Sequence, residues 1–207
     1  MRCYGQGAPD VLVLLPGAQM HPADVEDGGL PALMPPTLDL IVPDLHLDPT
    51  GRSDAMQRLA HEVLAPLSGR YRHLWLAGIS LGGLLALRHA QTAGAGLRGL
   101  CLLAPYPGSR LVTNHIARAG GLHAWQPTPA QQADPEYALW IGLCAGQPRL
   151  PTFIGWGRED RFAASMGSVA DLLPQAVRRE VGGGHDWPAW RPLWRDALAW
   201  MAGESGA

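Results

Sequence analysis

Six short apolar runs recur along the 207 residues of this chain, and each stops at glycine or proline. They are Val11–Leu15 (ending at Pro16-Gly17), Leu38–Val42 (Pro43), His73–Ala77 (Gly78), Leu97–Ala104 (Pro105), Thr152–Trp156 (Gly157) and Ala176–Val181 (Gly182). None alternates strictly between apolar and polar residues, so each reads as a strand buried on both faces. Helix-compatible segments fill the intervals. Pro22–Leu33 is interrupted by Gly28-Gly29, whereas Asp54–Leu67 carries Met56, Leu59, Ala60, Val63, Leu64 and Leu67 at helical spacing. Leu84–Ala93, Ala163–Leu173 and Trp187–Met201 complete the set. In the last, Trp190, Leu193, Trp194, Ala197, Leu198 and Met201 form one stripe, which reads as a helix face packed on a sheet. Strands alternating with helices imply a mostly parallel α/β sheet of about six strands with helices on both faces.

The rhythm breaks once. Residues 106–151 separate the fourth and fifth runs, hold Pro107, Pro127, Pro129, Pro135 and Pro148, and contain a helical stretch near Asp134–Ala145. A long excursion at the carboxyl end of a sheet is where a lid sits. The chain length suits one domain over residues 1–207, and 47% hydrophobic residues suffice for a sizeable core.

Charge narrows the function. All 16 basic residues are arginine, so no phosphate-loop lysine, Schiff-base lysine or Ser-Lys dyad is available. With a net charge of −2 and no basic stripe, neither nucleic acid nor a membrane surface is an expected partner. Cys3, Cys101 and Cys144 have neither metal nor redox spacing, and Cys101, inside Leu100–Leu103, reads as a buried free thiol. The first residues hold no apolar segment of signal-peptide length, and no run spans a bilayer. These features point to a soluble cytoplasmic protein acting on a small molecule, as a monomer or a homo-oligomer.

The chemistry is concentrated in Gly78-Ile79-Ser80-Leu81-Gly82, a Gly-x-Ser-x-Gly element between an apolar strand and a helix. A serine on such a sharp turn exposes its hydroxyl, and the residues two before and two after it come so close that both must be small. The helix that follows aims its free N–H groups, notably that of Leu81, at the same point, where they can hold an oxyanion. A serine nucleophile needs a base and an acid that orients it. His185, in Gly182-Gly183-Gly184-His185, follows the last run, and Asp160, with Glu159 its near rival, follows the run before it. The order Ser80, Asp160, His185 is nucleophile, acid, base.

These residues resemble the α/β-hydrolase superfamily, from about Val11 to Met201, at its compact esterase or thioesterase end. The elbow at Gly78–Gly83, the acid turn Gly157-Arg158-Glu159-Asp160 and the histidine turn Gly183-Gly184-His185 are similar to that family's, as is Ile41-Val42-Pro43-Asp44-Leu45. Leu15-Pro16-Gly17-Ala18-Gln19-Met20 resembles its oxyanion loop, with Pro16 where a histidine is common. The resemblance implies a second oxyanion donor from the N–H of Ala18, with Gln19 a rival, and a sheet lacking the first two of the usual eight strands. It implies a serine hydrolase that cleaves a carboxylic ester or thioester through an acyl-enzyme, without a cofactor. Acyl transfer or carbon–carbon hydrolysis on the same triad, and a non-catalytic binding protein on the same scaffold, are the alternatives. Trp125, Trp140 and Phe162 are candidate pocket walls. Asp44-Leu45-His46-Leu47-Asp48 alternates like metal ligands, but the sequence offers no evident further ligand, and a metal is not expected.

Overall fold

Every apolar run forms a strand in the computed structural model, which describes residues 1–5, 7–47, 54–146 and 148–205. The strands are β1 (Arg2–Tyr4), β2 (Asp10–Leu15), β3 (Leu38–Val42), β4 (His73–Ile79), β5 (Leu97–Leu103), β6 (Thr152–Gly157) and β7 (Val177–Val181). They make one sheet in the order β1-β3-β2-β4-β5-β6-β7. All neighbours pair in parallel except β1 with β3, which are antiparallel. The sheet thus holds the six expected strands and one more. β1 escapes sequence reading because it is three residues long, mostly exposed, and lies on an edge.

Burial follows position in the sheet. Every residue of β2, β3 and β6 is buried, which requires packing on both faces. β7 departs from the expectation of two buried faces: Arg178, Arg179 and Glu180 are exposed, because this strand is the other edge and charged side chains protect an open ladder.

The helices are α1 (Pro22–Asp27), α2 (Ala55–Arg58), α3 (Leu81–Ala93), α4 (Arg110–Arg118), α5 (Pro129–Ala133), α6 (Ala138–Ala145), α7 (Ala163–Asp171) and α8 (Trp187–Ser205). α1 stops at Gly28, where the sequence is interrupted. α2 continues into a π-helical stretch, Leu59–Leu64, and a 3-10 turn, Ala65–Leu67. α3 packs on β2, β4 and β5, and α8 on β5, β6 and β7. The tryptophans of α8 largely fill the core as expected. Trp194 is fully buried and its indole N–H donates to the carbonyl of Leu30 at 3.2 Å, while Trp200 stands edge-on to Trp75 at 5.6 Å. Residues 106–151 fold into α4, α5, a 3-10 turn at Pro135–Tyr137, and α6; of these only the last two lie in the expected helical stretch. α4 escapes sequence reading because its nine residues bury only one pair, Val112 and Ile116, too short a stripe to stand out. Cys101 is buried, and burial pushes its thiol well above the usual value, so it is inert. Among the described residues no helix is long and apolar enough to cross a membrane.

At the amino end of β2, the buried Asp10 carboxylate accepts hydrogen bonds from Arg72 at 3.2 and 3.3 Å and lies 3.2 Å from His73 Nδ1. Burial alone would raise this carboxyl, but Arg72 and His73 outweigh it and hold it below the usual carboxylate range. A carboxyl depressed in the folded state adds stability above its unfolded value, near pH 4, and that stability is lost as pH falls through the folded value. Asp10→Asn is therefore expected to cost roughly 1.5 kcal/mol at neutral pH, the low end for charge-assisted hydrogen bonds because Arg72 is largely exposed. It should also flatten the acid limb of stability. Urea midpoints measured from pH 2 to 7 check both.

Candidate active site

Steric exclusion builds the site. Ser80, directly after β4, has φ 52° and ψ −116°, a left-handed backbone that a residue with a Cβ adopts only under constraint. Three backbone hydrogen bonds hold it there. Its N–H donates to Leu103 at 3.0 Å, and its carbonyl accepts from Tyr106 at 2.8 Å and from Leu84 at 3.1 Å. The flanking glycines are required by contact. A Cβ on Gly78 would lie 2.2 Å from the backbone of Gly82, and one on Gly82 would lie 2.1 Å from the carbonyl oxygen of Leu15. The elbow is thus wedged between its own helix and the end of β2.

The acid and histidine turns meet for the same kind of reason. A Cβ on Gly157, at the end of β6, would lie 2.0 Å from the carbonyl oxygen of Gly183. This approach brings Asp160 and His185 together from adjacent strands. His185 Nδ1 is 2.5 Å from Asp160 Oδ2, and His185 Nε2 is 2.8 Å from Ser80 Oγ. Asp160 is completely buried, and its other oxygen accepts from the N–H of Phe162 at 2.9 Å. Glu159, the rival acid, does something else: its carboxylate accepts from the N–H of Gly183 at 2.5 Å and so pins the histidine turn.

Ser80 and His185, with Asp160 buried behind them, border a cavity of about 350 Å³ lined by Gly17, Ala18, Met20, Ser80, Leu81, Tyr106, Arg161, Phe162, His185 and Trp190. Ala18 faces it and Gln19 does not. The N–H of Ala18 has no acceptor among the described residues, and Leu81, the first residue of α3, precedes any intrahelical acceptor for its own. Tyr106 brings a phenol that burial pushes up, with the negative charge of Glu136 adding and Arg161 opposing. It therefore stays protonated as a potential donor.

Of the expected wall residues, Phe162 lines the cavity, edge-on to His185 at 5.6 Å. Trp125 and Trp140 do not. Trp125 is buried against Tyr137, and Trp140 is buried with its indole N–H donating to Pro107 at 2.7 Å, so both serve the core beneath residues 106–151. Met20, Tyr106, Arg161 and Trp190 take their place, and sequence reading missed them. Trp190 belongs to the packed stripe of α8, yet it also stands edge-on to His185 at 5.4 Å. A larger hollow of about 720 Å³ opens at the starts of β6 and β7, at Thr152 and Val177, and contains none of Ser80, Asp160 and His185.

The metal reading gains one donor. His21 joins Asp44 and His46, with donor atoms within 4.8 Å of one another, while Asp48 lies outside the described residues. His21 and His46 are mostly exposed, and none of the three lines the cavity.

A parallel sheet carrying a strained serine elbow after β4, an acid turn after β6 and a histidine turn after β7 is the α/β-hydrolase fold, and the chain has that fold. Solved structures share it over nearly the whole chain. The substrate-bound fluorophosphonate-binding serine hydrolase F of Staphylococcus aureus is similar over 95% of this chain and 84% of its own, with a TM-score of 0.70 and 16% identity. The monoacylglycerol lipase of Paleococcus ferrophilus is similar over 98% of each chain, with a TM-score of 0.70 and 14% identity. The thioesterase domain from the curacin biosynthetic pathway covers 97% of this chain and 92% of its own, with a TM-score of 0.60 and 16% identity. In sequence, the chain is 31% identical over 149 residues to the 2-succinyl-6-hydroxy-2,4-cyclohexadiene-1-carboxylate synthase of Enterobacter sp. (strain 638). That match takes in 68% of this chain and 52% of the relative, so the chain spans about half the length of the curated relative it matches. No family model matches.

Because the atoms facing Gly78 and Gly82 are backbone, they have little room to yield. Gly78→Ala and Gly82→Ala are each expected to destabilise by at least about 2 kcal/mol or to prevent folding. Denaturant unfolding and soluble yield measure this. Alanine at Gly203, which has nothing within 4 Å, should leave stability nearly unchanged and serves as the control.

Proposed function

We propose that this protein is a serine hydrolase that cleaves a small-molecule carboxylic ester or thioester through an acyl-enzyme. The observation that carries the reading is the unbroken hydrogen-bond chain Ser80–His185–Asp160, whose Ser80 and His185 line the cavity. His185 takes the Ser80 proton as Oγ attacks the carbonyl carbon. The oxyanion that forms is held by the N–H groups of Leu81 and Ala18, which sit at the cavity and need no reorganisation. His185 then passes the proton to the departing alkoxide or thiolate, and the C–O or C–S bond breaks. Water, deprotonated by His185, attacks the acyl-enzyme, and Ser80 leaves with the proton. Asp160 fixes the imidazole with its Nδ1 proton inward and stabilises the imidazolium. Residues 1–207 act as one catalytic domain, and residues 106–151, which contribute Tyr106 to the cavity, form its roof.

One observation favours a second reading on the same residues. The relative at 31% identity is named as a synthase, so a non-hydrolytic reaction on the same serine–histidine pair is the second reading.

A fluorophosphonate probe is expected to label the wild-type protein at one site and to leave Ser80→Ala unlabelled. Labelling that survives this substitution sinks the assignment. In a panel of 4-nitrophenyl and coenzyme A esters of graded chain length, Ser80→Ala should lower kcat/KM by at least about a thousandfold. Asp160→Asn should lower kcat by about 10³–10⁴ with little change in KM, because it turns the imidazole to the wrong tautomer. Labelling of Ser80 without turnover of any ester favours the synthase-like reading.

A further inference from the structure

We infer that the substrate carries a carboxylate in addition to its ester or thioester, and that Arg161 binds it. This rests on the hydrolase reading and adds the class of substrate. Arg161 is the one permanently charged residue among those lining the cavity. It is also without a protein anion. Arg2, Arg58, Arg72 and Arg178 each meet a carboxylate, and Arg98, Arg158 and Arg191 each donate to a carbonyl. Arg161 is exposed and has neither partner among the described residues; Arg70, Arg88, Arg110, Arg118, Arg149 and Arg195 likewise have neither, but none of them lines the cavity. The Arg161 guanidinium instead lies 4.7 Å from the centre of the Phe162 ring.

That stacking positions the charge relative to the chemistry. The N–H of Phe162 is tied to Asp160, and its ring stands edge-on to His185 at 5.6 Å and to Tyr106 at 5.4 Å. Arg161 is therefore one aromatic ring removed from the base. A guanidinium stacked on a ring spends only its face, and leaves its planar N–H edge free for a carboxylate, which it can grip with two parallel hydrogen bonds. The same group disfavours a neutral chain laid over it, since its hydration would be lost without replacement. General attraction of anions does not explain the arrangement, because the chain as a whole carries −2. Tyr106, protonated and on the same wall, can donate a further hydrogen bond to such a group.

Two matched pairs of esters test this and tell where the carboxylate sits. One pair is 4-nitrophenyl hydrogen succinate against its neutral methyl ester, with the charge on the acyl side. The other is 3-carboxy-4-nitrophenyl butyrate against 4-nitrophenyl butyrate, with the charge on the leaving side. In the wild type, kcat/KM is expected to favour the anionic member of one pair by about tenfold or more, mainly through KM. The preference should collapse toward unity in Arg161→Gln and be partly kept in Arg161→Lys, which retains the charge without the fork. Because each ratio is taken within one protein, a general loss of folded enzyme cancels. Neutral esters turned over with ratios at or below unity in both pairs, or a preference untouched by Arg161→Gln, overturn the proposal and leave the hydrolase reading standing. No turnover of the four esters together with no fluorophosphonate labelling overturns that reading, and this proposal with it.

Discussion

The backbone of Ser80 is the constraint on which the rest of the structure depends. A side chain at φ 52° is held only where its surroundings over-determine it, at a cost of about 1–3 kcal/mol. Here the surroundings are β2, β4 and β5, which lie side by side at the centre of the sheet. β5 supplies an acceptor through Leu103, the chain just beyond it supplies a donor through Tyr106, and the end of β2 closes on Gly82. Fully burying one leucine is worth about 1.5–3 kcal/mol, and β2 alone buries three. Strain at the elbow is thus offset by ordinary core packing, and the serine hydroxyl is aimed by the sheet itself.

Two adjacent carboxylates divide the electrostatic work. Asp160 is wholly buried and bonded on both oxygens, to an imidazole on one side and a backbone N–H on the other. Glu159 bonds the backbone of Gly183 and leaves the imidazole alone. One meets the His185 imidazole, and the other holds the turn that carries it. The next residue, Arg161, turns from this acidic pair toward the cavity, so three consecutive charged residues have three separate roles.

Much of this was legible in the sequence. The inner strands could be read from apolar runs that stop at glycine or proline, because a strand buried on both faces leaves little freedom in composition; β7, with three exposed charged residues, was read for the wrong reason. β1 could not be read, since an exposed edge strand of three residues has no such pattern. The internal order of residues 106–151 was also hidden. α4 and α5 are short, and Trp125 and Trp140 pack into the core rather than on the cavity. An aromatic residue in a sequence carries no sign of which way it points.

The sequence by itself picked out Ser80 and His185, the proposed nucleophile and base, because a Gly-x-Ser-x-Gly turn and a glycine-led histidine turn each follow a strand at the same edge of the sheet. It left Asp160 and Glu159 as rivals, and Ala18 and Gln19 likewise. Only the tertiary structure separates them in geometry: Asp160 lies 2.5 Å from the imidazole while Glu159 accepts from Gly183, and Ala18 rather than Gln19 lines the cavity. The walls of the cavity were decided there too. Met20, Tyr106, Arg161 and Trp190 come from four separate segments of the chain, and side chains that meet only after the sheet has formed leave no pattern along the sequence.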